Sequence, residues 1–168
     1  MAMGKCLPVL FQSPVQGHYD TMETTHGKLI LLTTPIGNLQ DLTGRVKEVL
    51  EKGIYFACED TRTFKDLLGH LGISLSDKKL YAFHDHSQDE SSQKFLDILQ
   101  TGENLYVVSD AGSPVVSDPA YPLIKAVLKA GFEIDTYAGV SSVLVALELS
   151  GLPPHPFHFH GFLAREKK

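Results

Sequence analysis

The chain has 168 residues, 43% of them apolar and 21% charged, and its 15 Lys plus Arg against 20 Asp plus Glu leave a net charge of −5. That length suits one domain and the edge of another, with enough chain for a real core. The composition excludes a wholly disordered chain, a collagen-like repeat and a small disulfide scaffold, and no run approaches the ~20 apolar residues of a membrane span. An acidic chain is not built to coat nucleic acid non-specifically, though a local basic face or a partner can supply recognition. Its two cysteines, Cys6 and Cys58, are far apart. Cys58 follows the apolar run Ile54-Tyr55-Phe56-Ala57 and reads as a reduced core thiol, with a cytoplasmic location as the default.

Residues 1–27 carry neither a helical nor a strand period, and no secretory signal pattern. Leu7-Pro8-Val9-Leu10-Phe11-Gln12-Ser13-Pro14 resembles a viral 3C-protease recognition sequence of the kind used in expression vectors. A vector leader, an upstream reading-frame extension and a native disordered arm all stay open.

From Lys28 a strand and helix rhythm begins. Leu29 to Thr33 predicts a buried strand, and Val46, Val49 and Leu50 a helix stopped by Gly53. Ile54 to Cys58 is the second strand, followed by a helical stripe of Phe64, Leu67, Leu68 and Leu71 ending at Gly72. Leu80 to Phe83 is the third strand, with Phe95, Leu96, Ile98 and Leu99 on a helix ending at Gly102. Leu105 to Val108 is the fourth, with Leu123, Ile124, Val127 and Leu128 on a helix ending at Gly131. Phe132 to Tyr137 is the fifth, with Val143, Leu144 and Leu147 on a helix ending at Gly151. Near-continuous apolar strands alternating with helices predict an α/β fold: a mostly parallel five-stranded sheet with helices on both faces. Pro153, Pro154 and Pro156 then mark a linker, and Phe157 to Phe162 predicts one more strand, the first of a second domain.

In such sheets a ligand binds outside the carboxyl ends of the strands. The first such end is Thr34-Pro35-Ile36-Gly37-Asn38-Leu39, a proline-fixed turn that is neither a dinucleotide loop nor a phosphate loop. The second, Glu59-Asp60-Thr61-Arg62, packs ionisable groups densely. It suits helix capping by Asp60 or Thr61, and equally a carboxylate that takes a hydroxyl proton or fixes a ribose. The third, His84-Asp85-His86-Ser87, repeats its spacing at His158 and His160. Without a third or fourth converging ligand these read as polar site-lining histidines, and no metal is expected. The fourth, Ser109-Asp110-Ala111-Gly112-Ser113-Pro114-Val115-Val116-Ser117-Asp118-Pro119, is long for such a loop. Its small residues allow a ligand near the backbone. Asp118 suits an N-cap before Pro119, which leaves Asp110 as the better functional candidate. The fifth, Ala138-Gly139-Val140-Ser141-Ser142, opens a helix whose N–H groups can hold an anionic group.

Taken in order, and with Gly151-Leu152-Pro153 and Gly161-Phe162-Leu163, these stretches resemble the tetrapyrrole methylase superfamily of S-adenosylmethionine-dependent methyltransferases. Within it they are most similar to the branch that methylates the ribose 2′-hydroxyl of a cytidine in 16S ribosomal RNA. The resemblance spans residues 28–163. It departs mildly at Ala120, at Gly139-Val140-Ser141 and at His86-Ser87, where the family more often has glycine, Gly-Pro-Ser and His-Asn.

The resemblance implies a cleft between two domains that holds S-adenosylmethionine, often in a homodimer. Residues 28–152 would be the cofactor-binding domain and 153–168 the linker and first strand of the second, otherwise absent. Pro35, Gly37, Asp110, Ala111, Gly112, Pro114, Ser117, Ser141 and Ser142 would hold the cofactor, and Asn38, Arg62 and His86 would meet the substrate. Glu59, Asp60 and His84 are the candidates for the group that takes the hydroxyl proton. The expected partner is 16S ribosomal RNA within the small subunit. Two alternatives stay open: a related enzyme acting on a tetrapyrrole or a protein side chain, and a non-catalytic half that needs its second domain.

Overall fold

The computed structural model describes residues 26–83, 88–116 and 120–161. Five strands alternate with five α-helices: β1 (Leu29–Leu32), α1 (Gly44–Lys52), β2 (Tyr55–Cys58), α2 (Thr61–His70), β3 (Lys79–Ala82), α3 (Gln88–Gln100), β4 (Leu105–Val108), α4 (Ala120–Lys129), β5 (Ile134–Tyr137) and α5 (Ser142–Ser150). A short 3-10 turn, Leu39–Asp41, precedes α1. Every strand and helix expected between Lys28 and Gly151 is present.

All strand pairs are parallel, in the order β3-β2-β4-β1-β5. The steps from β1 to β2 and β2 to β3 move toward one edge of the sheet. Those from β3 to β4 and β4 to β5 move back toward the other. Right-handed crossovers then place α1 and α2 on one face and α3 and α4 on the opposite one.

The core divides accordingly, because successive strand residues point to opposite faces. Ile30, Leu32, Phe56, Cys58 and Val108 meet Val46 and Leu50 of α1 and Phe64 and Leu68 of α2. Leu29, Leu31, Ala57, Leu105 and Val107 meet Phe95, Ile98 and Leu99 of α3 and Leu123 and Val127 of α4. Continuous apolar runs such as Leu29–Leu32 are thus the signature of strands covered on both sides.

Gly53 ends α1 as expected, without a left-handed backbone. Its φ is −68°, open to any residue. Glycine is required there by space: a Cβ would lie 2.8 Å from Phe56 Cζ, Tyr106 Cε2 and the Val49 carbonyl oxygen. The stops at Gly72, Gly102, Gly131 and Gly151 do have positive φ.

Two features differ from the sequence expectation. Helix α5 buries none of its residues, and Leu144 and Leu149 are 57% and 82% exposed. Ser142–Ser150 is apolar nearly all round rather than along one stripe, and β5, at the sheet edge, leaves it no further strand to cover. The second is the strand expected from Phe157 to Phe162. Phe157–Gly161 adopts no strand, and Phe162 lies outside the described residues. A strand needs a partner ladder, and the segment instead lines a hollow of about 470 Å³ against α5, with Phe157 and Phe159 on its wall.

Candidate functional site

The winding direction reverses between β1 and β4, the topological switch point where open α/β sheets bind ligands. The loop leaving β1 heads toward one edge and the loop leaving β4 toward the other, so they cross. A two-way backbone bridge ties the crossing: Thr34 N–H donates to the Gly112 carbonyl at 2.9 Å, and Gly112 N–H to the Thr34 carbonyl at 3.2 Å. The buried Thr34 hydroxyl donates to the Ser109 and Gly112 carbonyls, and the Ser109 hydroxyl to Gly112. Gly112 has φ +83°, where an L side chain is strained, so the bridge requires glycine.

This bridge divides the expected cofactor residues between two clefts. One, of about 240 Å³, is lined by Thr34, Pro35, Gly37, Thr63, Asp66 and Asp110, among others. The other, of about 80 Å³, is lined by Ala111, Gly112, Ser113, Ser141 and Ser142, among others. Pro114 faces neither; it lines a hollow of about 10 Å³ with Glu59 and Ser109. Asn38 caps the 3-10 turn, its side chain accepting the Gln40 N–H at 3.1 Å. The Ser141 side chain, at the N-cap of α5, makes no capping hydrogen bond. His84, His86 and Ser117 lie outside the described residues.

The turn after β2 is held together internally. Asp60 caps α2, its Oδ1 accepting the Arg62 N–H at 2.7 Å, and the Arg62 guanidinium grips the same carboxylate, Nη2 to Oδ2, at 2.7 Å. The bond from the Arg62 side chain, seconded by its backbone N–H, holds the Asp60 carboxyl at about 2. Such a group is a poor proton acceptor at neutral pH. Because the folded value is depressed, its contribution to stability is full above the unfolded value of about 3.9 and is lost as pH falls through the folded one.

Glu59 continues the β2 ladder, its N–H donating to the Val108 carbonyl at 3.1 Å. Its Oε2 accepts the Asp110 N–H, also at 3.1 Å. The Asp110 carboxyl is raised, first by burial and then by the charges of Glu59 and Asp60. The neighbouring Asp60 backbone and Thr63 side chain oppose that shift. Thr63, Phe64, Asp66 and Leu67 also line this cleft; sequence reasoning placed Phe64 and Leu67 on a helical stripe and gave none of the four a role in the site. Their only signal was position, in the first turns of a helix opening at a strand end.

Burial, with a smaller push from Asp110, raises the Cys58 thiol to about 12. The folded protein keeps that proton where an unfolded thiol, near about 8.5, loses it, so stability should decline as pH rises above the unfolded value. Iodoacetamide at pH 8 is expected to leave Cys58 unmodified in the folded chain and to alkylate it once the chain is unfolded. Peptide mapping checks this, and ready alkylation in the folded chain would contradict the burial.

Among the described residues no three His, Cys, Asp or Glu side chains gather as a metal site, and no helix is long and apolar enough to cross a membrane.

This two-faced parallel sheet with a crevice at its switch point is a known architecture. Among solved structures it is similar to the methyltransferase CobJ, with a TM-score of 0.57 and 19% identity, covering 76% of this chain and 52% of that one. It is also similar to uroporphyrin-III-C-methyltransferase from Thermus thermophilus, with a TM-score of 0.53 and 22% identity, covering 73% and 53%. At these identities the likeness is one of fold. The model of the tetrapyrrole (corrin/porphyrin) methylases matches residues 28–168, and the chain belongs to that family. Among curated proteins, ribosomal RNA small subunit methyltransferase I of Halalkalibacterium halodurans is 41% identical over 142 residues, covering 84% of this chain and 48% of that protein. The protein of the same name from Escherichia coli O157:H7 is 38% identical over 150 residues, covering 89% and 51%. The chain spans about half the length of these relatives.

Proposed function

We propose that this chain is the S-adenosylmethionine-binding half of a methyltransferase that acts on a ribose 2′-hydroxyl of a cytidine in 16S ribosomal RNA. The observation that carries the reading is the bridged crossing of the β1 and β4 loops, with clefts on both sides lined by the expected cofactor residues. The 41% identity to a relative named for small-subunit ribosomal RNA methylation supports the substrate class.

The residues present fit the cofactor. A Cβ on Gly37 would meet nothing within 4 Å, so the larger cleft has room at that wall. Asp110 offers a carboxylate to a cationic group. Ser141, free of capping duty, and the α5 N–H groups offer donors to an anionic one. When bound, S-adenosylmethionine supplies an electrophilic methyl group with its leaving group built in. Orientation is then the main task left to the protein. Of the candidates for taking the hydroxyl proton, Asp60 is the weakest, because Arg62 holds it ionised. Asn38, Arg62 and His86 remain the proposed substrate contacts, with Arg62 exposed at the start of α2.

The substrate proposed is the assembled small subunit, in the cytoplasm, because the acidic chain needs help to grip RNA. A homodimer is part of the same reading. A second reading, a half that works only when joined to a carboxyl-terminal domain, is favoured by one observation: the unburied apolar surface of α5 and its neighbours Leu152, Phe157 and Phe159.

The test is transfer of labelled methyl to small subunits and to naked 16S transcript. Both this chain and a fusion to the carboxyl-terminal half of a relative are assayed. Label in the ribose of assembled subunits, for the fusion at least, is the expected result. Label only in protein or tetrapyrrole acceptors would overturn the RNA assignment.

A further inference from the structure

We propose that Gly139 and Thr33 are positioning residues for the smaller cleft: Gly139, seated against the Thr33 side chain, sets how far Ser141 and Ser142 stand from Gly112. The inference rests on reading that cleft as part of the cofactor site. Neither residue belongs to the expected cofactor or substrate contacts.

Among the described residues the buried polar ones are Thr33, Thr34 and Ser109, all just past the ends of β1 and β4. The Thr34 and Ser109 hydroxyls are engaged in the bridge to Gly112. Thr33 serves the other loop. Its N–H donates to the Tyr137 carbonyl at 3.2 Å, at the end of β5. A Cβ on Gly139 would lie 3.0 Å from both Cβ and Cγ2 of Thr33, and 3.6 Å from its carbonyl oxygen. The φ of Gly139 is not left-handed, so glycine is needed there for space and not for conformation. Two consecutive threonines thus meet the two walls of the cleft. Thr34 holds the loop that brings Ala111 and Gly112, and Thr33 receives the loop that brings Ser141 and Ser142.

A methyl group at position 139 must displace one side of this contact. Thr33 cannot give way. Its branched side chain is stiff, and its Cβ is fixed by a backbone held to Tyr137 and, through Thr34, to Gly112. The β5–α5 side can move, because α5 buries none of its residues. The added methyl therefore shifts the backbone of that loop, as overpacking does where one side is free. Ser141 and Ser142 follow two and three positions later and travel with it. A ligand that touches both Gly112 and Ser141 then meets a gap of the wrong width, and affinity falls through lost fit rather than lost contacts.

The test has two arms on this chain. The first uses no ligand: in wild type, the Thr33 methyl and Gly139 Cα protons should show a strong nuclear Overhauser effect. Its absence overturns the seat. The second is calorimetric titration of S-adenosylmethionine with a thermal melt on each sample. G139A should bind about tenfold more weakly than wild type. Adding T33G removes both contacting carbons and should restore most of the affinity. Adding T33S removes only the methyl and should restore part of it.

A glycine at the end of a strand lowers stability by itself. Affinity that recovers in G139A/T33G while the melting temperature stays low is therefore the mark of positioning. Wild-type affinity in G139A, or a loss that neither second substitution recovers, overturns the proposal. Should G139A fail to fold, recovery of folding and binding by T33G supports the seat, and a double variant that still does not fold overturns it. If wild type binds no S-adenosylmethionine, the cofactor reading fails and the functional role with it, while the first arm still decides the contact.

Discussion

Replacing Phe56 by alanine is expected to remove about 3–5 kcal/mol of folding stability. Phe56 is fully buried in β2, one of the interior strands of the sheet. Its ring lies 5.1 Å from that of Phe64 on α2 and 5.3 Å from that of Tyr106 on β4. It therefore joins three elements, and the Gly53 backbone presses against the same ring. Alanine would leave a cavity between strand and helix that neighbours held by the ladder cannot fill. Urea denaturation with two spectroscopic probes measures the effect. A loss below about 1 kcal/mol would mean that this face of the sheet is loosely packed.

Asp110→Ala is expected to weaken S-adenosylmethionine binding about ten- to hundredfold, the usual scale for a charge-assisted hydrogen bond lost from a site. Folding should suffer little, because Asp110 lies at the exposed end of β4 and its neighbours Glu59 and Asp60 are relieved of a like charge. Calorimetric titration of wild type and variant separates the two effects, with a thermal melt on each sample. Unchanged affinity would place the cofactor's cationic group elsewhere, with the Ser141 and Ser142 cleft the next place to look.

The sheet was legible because its strands are covered on both faces and therefore read as unbroken apolar runs. The strand-end rule pointed to the loops after β1, β4 and β5 and favoured Asp110, and the family resemblance singled out Pro35, Gly37 and Ser141 within them. Strand order was not legible, since no local pattern says that β4 inserts between β1 and β2. The bridge between Thr34 and Gly112 follows from that order and was equally hidden. So was the division of the site into two clefts. Glu59, Asp60 and Arg62 stood out as a dense ionisable cluster, and both readings of Asp60 were open. The pairing of Arg62 with a neighbouring acid belonged to the capping reading, and Asp60 fills that place; what the sequence could not express was that Glu59 faces the backbone of a loop 51 positions away. Helix α5 was legible as a helix, but what covers it was not. Val143, Leu144 and Leu147 keep a helical spacing, yet spacing does not say which neighbour they pack on, and within the described residues none buries them.

The account's central claim is that the crossing of the β1 and β4 loops forms part of an S-adenosylmethionine site. Its most direct test is an amide NMR titration of this chain with S-adenosylmethionine, which registers even millimolar binding. The account predicts saturable shifts at Thr34–Asn38, Ser109–Gly112 and Ser141–Ser142, with little change at the opposite edge of the sheet. Absence of shifts up to several millimolar, or shifts confined to residues remote from these loops, would contradict it.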